Sequence, residues 1–122
     1  MITEDYVNFE IAKLLKEKGF DEATYHYYNT TGARWFESVL VRHNSQGGIA
    51  CPTLQMAMKW LREVHDIDIS IDLRFRSEDE DVYIKSWRYT VYHIDEIEDF
   101  GDSDTYEEAC KAAIKYCLEN LI

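Results

Sequence analysis

The chain has 122 residues, 46% of them apolar and 14% aromatic, with a formal net charge of -11 and a mean hydropathy of -0.44. A chain of this length folds as one domain that buries roughly two thirds of its unfolded surface, and it needs no metal or disulfide to hold it. No run of about 18 apolar residues is present, and the acidic start (Glu4, Asp5) lacks the parts of a signal peptide, so a soluble, cytoplasmic protein is expected, with direct binding to nucleic-acid phosphates or anionic membranes disfavoured by the charge.

Thr3 offers a helix cap with Glu4 and Asp5 in the first turn, Val7, Ile11, Leu14 and Leu15 form an apolar stripe, and Gly19-Phe20 is a Schellman-type stop. The spacing predicts a first helix over residues 3–18. Tyr-rich residues 23–28, the turn Asn29-Thr30-Thr31-Gly32, and residues 34–42 with Trp35, Phe36, Val39, Leu40 and Val41 predict a hairpin. Residues 43–49 form a polar loop with Gly47-Gly48, expected to be the most mobile segment.

Pro52 and Thr53 open a second helix whose stripe is Leu54, Ala57, Met58, Leu61 and Val64, ending near His65. Then Ile67, Ile69, Ile71, Leu73 and Phe75 alternate against Asp68, Ser70, Asp72 and Arg74, the period of a one-sided strand. After a turn at residues 77–81, a run over 82–94 completes a long hairpin. Val82, Ile84, Tyr92 and Ile94 fall on one parity and Tyr83, Trp87, Tyr89 and Val91 on the other, which calls for a mid-strand bulge or for cover on both faces. Residues 95–108 read as an acidic connection. Thr105 and Glu108 form a capping box, and Ala109, Cys110, Ala113, Ile114, Cys117 and Leu121 make a stripe of mostly small residues for packing on a sheet. The fold class expected is α+β, in the order αββαββα, with an antiparallel sheet of two hairpins and helices mainly on one face.

Three segments carry a resemblance: residues 9–20 (Phe9 through Gly19-Phe20), residues 52–63 (Pro52-Thr53-Leu54-Gln55, then Ala57 and Lys59-Trp60-Leu61-Arg62-Glu63), and Thr105-Tyr106-Glu107-Glu108-Ala109 with the helix that follows. They resemble a group of small uncharacterised proteins of Bacteroides-type gut bacteria and of their phages and mobile elements. The resemblance frames nearly the whole chain through its helices and is weak in the hairpins. It implies a phage or mobile-element setting and carries over no catalytic residue.

Residue types that could carry chemistry are sparse. Cys51 precedes a helix start, where the dipole can activate a thiol with His43 or His65 as base, but a small residue at that position is the simpler reading, and the resembling group often has Ala there. Cys110 and Cys117, two helical turns apart, are too distant to bridge and read as core. The four histidines are scattered, with no zinc-site spacing, so neither metal nor cofactor is expected. Asp66, Asp68 and Asp72 share a strand face with Arg74 and Arg76 and read as a charged outer surface, not as an acid–base pair.

Two surfaces remain. If the last strand keeps one register, Tyr83, Trp87 and Tyr89, with Arg88 beside them, lie outside the helix-packed core and form a patch for another protein or a second copy. Residues 77–108 hold 12 acids against Lys85 and Arg88, so Glu78, Asp79, Glu80, Asp81, Asp95, Glu96, Glu98 and Asp99 could instead mimic DNA toward a nucleic-acid-binding protein. The leading expectation is a non-enzymatic accessory protein acting by protein or self association, and the alternative is an acidic inhibitor of a nucleic-acid-binding protein.

Overall fold

The computed structural model describes residues 1–122 and has an α+β architecture of three helices and two three-stranded antiparallel sheets. Helix α1 spans Phe9–Glu17, and Asn8, not Thr3, caps it by accepting the Ile11 N–H at 2.9 Å. The earlier start expected from the stripe is corrected because Val7 is buried without being helical. The Val7 N–H donates to the Pro52 carbonyl at 3.1 Å and the Leu54 N–H to the Asp5 carbonyl at 2.9 Å, so the segment before Asn8 takes its hydrogen bonds from the start of the second helix. The stop is as read: Gly19 has φ +98°, and the Phe20 and Gly19 N–H groups donate to the Leu15 and Lys16 carbonyls at 2.9 and 3.2 Å.

Strands β1 (Thr24–Tyr28) and β2 (Arg34–Val41) form the first hairpin. In its turn the Asn29 side chain accepts from the Thr31 and Ala33 N–H groups, each at 3.0 Å. The register jumps from His26↔Phe36 to Thr24↔Val41, so residues 37–40 bow out of the ladder and β2 becomes a bulged edge strand. The polar loop after it is tied down. His43–Ser45 form one 3-10 turn and β3 (Ile49–Ala50) pairs with β1. Asn44 donates to the Phe20 carbonyl at 2.5 Å and accepts the Ala50 N–H at 2.8 Å, while Lys16 Nζ donates to the Gly48 carbonyl at 2.7 Å.

Helix α2 (Leu54–His65) is capped by Thr53, whose Oγ1 accepts the Met56 N–H at 3.0 Å, and it ends on Asp66 at φ 58°. From there β4 (Ile67–Asp79), β5 (Val82–His93) and β6 (Glu96–Ser103) form the second sheet in the order β4-β5-β6. Strand β6 occupies what reads as an acidic connection. Its pairs Val91↔Asp99 and Tyr92↔Ile97 leave Glu98 as an extra residue, and that bulge breaks the alternation that would have marked a strand. Helix α3 (Tyr106–Asn120) is capped by Thr105 Oγ1, which accepts the Glu108 N–H at 3.1 Å.

One cluster of 21 buried residues draws on all three helices and both sheets. Helix α3 lies across all three strands of the second sheet and α2 against β4, on a single face, with Cys110, Ala113, Ile114, Cys117 and Leu118 fully buried beside Ile67 and Val91. Small side chains on α3 let the helix sit close to the sheet, so its burial is shared among many short contacts. No helix is long and apolar enough to cross a membrane.

Candidate interaction site

The β4–β5 ladder runs without interruption from Ile67↔His93 to Ser77↔Tyr83, and directly opposed residues share a face. Leu73 is opposite Trp87, Ile71 opposite Tyr89, and Ile69 opposite Val91. The aromatic row therefore stands on the same face as the isoleucine row, beneath the helices. Trp87 packs edge-on against Tyr106 of α3, with ring centroids 5.5 Å apart. Tyr89 packs on the core and lies over Gly101, and its hydroxyl donates to Asp99 at 2.7 Å. Burial and the Asp99 carboxylate together push the Tyr89 phenol up to about 12. The expectation that Trp87 and Tyr89 lie outside the core is corrected by this register. Arg88 points to the opposite face, where it makes a bidentate pair with Asp102 at 2.8 and 3.0 Å and lies over the Phe100 ring.

Tyr83 alone of that set is exposed, because the hairpin outruns its cover. Strand β6 pairs only with Trp87–His93 of β5, and every residue from 72 to 85 is exposed. The distal half of β4–β5 is thus a two-stranded arm. It carries Leu73, Phe75 and Tyr83 on the helix-side face, the last two at 65% and 66% exposure, and Val82 and Ile84 on the other. A two-stranded ribbon is marginal by itself in water. Side chains of this size left bare on both faces mark a contact surface.

A second bare strip lies on β2, where Trp35, Phe36, Val39 and Leu40 are each more than half exposed. A groove of 370 Å³ runs along the arm's outer face, lined by Arg74, Arg76, Arg88 and Asp102 among others. The Arg88 guanidinium, with Arg74 and Arg76 nearby, holds the Asp102 carboxyl below its usual range. Arg76 pairs with Glu78 at 2.8 Å, whereas neither Asp72 nor Arg74 has an ion-pair partner in its own chain.

The acidic candidates separate into two groups. Glu78, Asp79, Glu80 and Asp81 crown the arm's tip, and Asp95, Glu96, Glu98 and Asp99 lie at the β5–β6 turn and along β6. The length of β5, about 36 Å at 3.3 Å per residue, lies between them. They form two local patches, one of them partly engaged through Asp99, and not one continuous acidic surface.

The thiols have no nucleophilic setting. Cys51 is fully buried, its Sγ donates to the Val7 carbonyl at 3.5 Å, and burial pushes its pKa up despite the helix start beside it. Cys110 and Cys117 are also fully buried and pushed up to about 11 and about 12. His43 is buried and stacks on Tyr27, His65 packs edge-on against Trp60, and neither hydrogen-bonds the Cys51 thiol, whose partner is the Val7 carbonyl. No group of three or more His, Cys, Asp or Glu side chains comes together to hold a metal ion. Comparison of the chain with protein-family models, with curated proteins and with solved structures yields no match.

Proposed function

We propose that this chain is a non-enzymatic accessory protein, of the phage or mobile-element kind its helix segments resemble, that works by docking another protein chain on the projecting β4–β5 arm. One observation carries the reading: an arm of two strands beyond the reach of both the helices and β6, with Leu73, Phe75, Tyr83, Val82 and Ile84 open to solvent. Apolar side chains on a ribbon this thin gain nothing from their own fold, and aromatic side chains dominate interface hot spots. The acids at its tip keep the arm soluble and steer it away from other acidic surfaces.

The test compares the chain with Phe75→Ser/Tyr83→Ser, measuring self-association by sedimentation and, with each form immobilised, the proteins retained from a bacterial lysate. The reading expects every association of the native chain to be weakened at least about tenfold while the melting profile is kept. Associations that persist undiminished in the double variant overturn it.

A further inference from the structure

We infer that the occupant of the arm is a second copy of the same chain, joined along the free edge of β4 about a two-fold axis at Leu73 to make one six-stranded antiparallel sheet. The inference rests on the arm being a docking surface and names what docks there.

Strand β4 is the outer strand of its sheet, 13 residues long, with no proline, and its ladder to β5 has no irregularity before Ser77. An edge of that length and regularity is a template for another strand unless something blocks it. The other edges are blocked. Strand β6 carries Glu96, Glu98, Asp99 and Asp102 and a bulge, β2 bows out of its ladder at residues 37–40, and β3 is two residues long.

Self-pairing of β4 has few registers, and the side chains choose among them. An antiparallel pair puts directly opposed residues on one face, so any register opposing an odd to an even residue sets the Ile71-Leu73-Phe75 row of one copy against the charged row of the other. With Asp72 or Arg74 on the axis, like charges face each other across it; with Ile71 on it Arg74 meets Asp68, but Asp72 meets Ser70 and stays unpaired, and the pairing runs back to the end of α2 at Asp66 instead of along the arm. With Leu73 on the axis, Leu73 meets itself, Ile71 meets Phe75, Ser70 meets Arg76, and Asp72 meets Arg74 twice by symmetry. Those last two are the outer-face charges of β4 that flank Leu73 and lack an ion-pair partner in the isolated chain. Two oppositions are unfavourable, Ile67 with Asp79 and Asp68 with Glu78, and both fall at the ends, where Glu78 already pairs with Arg76 at 2.8 Å and Arg76 lies diagonal to Asp68 of the other copy. The axis at Leu73 thus sets the bare Leu73 and Phe75 side chains beside Leu73 and Ile71 of the other copy and satisfies two unpaired charges at once.

The experiment is sedimentation equilibrium of the native chain, Asp72→Arg, Arg74→Asp and the double reversal, with oxidative cross-linking of Leu73→Cys. The three native thiols are fully buried, so the introduced one is the reactive one. The expected native mass is twice the 14.5 kDa chain mass. Each single reversal is expected to weaken the dimer at least about tenfold by setting like charges opposite each other, and the double reversal to restore it, with melting profiles showing that all variants are folded. Leu73→Cys should cross-link to a dimer within minutes. A native chain that stays monomeric at about 100 μM overturns self-pairing. It leaves docking of a different protein on the arm standing, since that is read separately from Phe75 and Tyr83. A dimer indifferent to both reversals and not cross-linked through position 73 overturns the β4 register.

Discussion

Replacing Trp87 and Tyr83 in turn by Ala separates the two ways the arm could face. Both residues fall on one parity of β5, and the ladder puts both on the helix side, but only Trp87 lies where α3 reaches. Full burial makes a Trp→Ala change cost about 3–5 kcal/mol. Trp87 keeps part of its surface exposed, so the share lost to water is nearer half, to which its edge-on contact with Tyr106 adds about 1 kcal/mol. A loss of about 2–3 kcal/mol lowers the melting temperature of a domain this size by about 8–12 °C and the urea midpoint by about 1.5 M at unchanged slope. Tyr83, 66% exposed and opposite Ser77, makes little contact within the chain, and its loss should stay within about 0.5 kcal/mol. Urea unfolding followed by tryptophan fluorescence for Tyr83→Ala, and by circular dichroism for both, measures the contrast. A Trp87→Ala chain as stable as the native one, with association lost, would refute the sheet orientation and return Trp87 to the outer surface.

Three further measurements probe other parts of the structure. A Cβ on Gly101 would meet the Tyr89 ring at 2.8 Å, so Gly101→Ala should cost about 1–3 kcal/mol in the native background and far less in Tyr89→Ala, and a coupling near zero in the double-mutant cycle would contradict the packing. At neutral pH, a thiol reagent should leave the native chain unmodified at Cys51, Cys110 and Cys117 and label all of them in urea; fast labelling of Cys51 in the folded state would show an open, activated thiol instead. His65 titrates below its ordinary 6.5, first because of burial and then because of His93, so the unfolded chain takes up the proton first: its contribution to stability is complete above pH 6.5 and lost as pH falls from there. Replacing His65 with Gln should flatten the dependence of the urea midpoint on pH below about 6.5, and an unaltered slope would count against a half-buried neutral imidazole.

The parts of this fold that the sequence made legible are those in which one local rule acts alone. The stripe of α2 from Leu54 to Leu61, though not Val64, which is 57% exposed, the stripe of α3, the caps Thr53 and Thr105, the Gly19 stop and the Ile67–Phe75 alternation needed only spacing and side-chain type. Helix α1 starts later than its stripe implies because Val7 extends the apolar stripe in sequence while standing outside the helix. Strand β6 was hidden by its own bulge, which puts Ile97 and Phe100 three apart, and by acids common in loops. The arm itself was visible as a hairpin, but which parity faces the helices was not. That choice depends on which residues oppose each other at the tip, and the irregularity between Ser77 and Asp79 decides it in a segment with no apolar residue to mark it. Once the tip is fixed, Trp87 and Tyr89 fall under α3, while Phe75 and Tyr83 stay bare because the helices end short of them.

The distribution of charge follows from the same geometry. Of the net -11, nearly all belongs to residues 77–108, which form the arm's tip, β5, β6 and the approach to α3. Strand β4 before the tip is close to neutral, with Asp68 and Asp72 against Arg74 and Arg76. A six-stranded sheet made by joining two β4 edges would therefore have a neutral seam at its centre and strongly acidic outer edges on both sides. Growth beyond two copies would require β6 of one dimer to meet β6 of the next, Glu96, Glu98, Asp99 and Asp102 against the same four residues, and like charges directly opposed across strands are destabilising. The Glu98 bulge adds a second obstacle, since it twists that edge away from regular pairing. Acidity that offers no binding motif for nucleic acid would in such a dimer have a structural use: it closes the β6 edge of the sheet, while the β4 edge left open carries a charge pattern that complements itself.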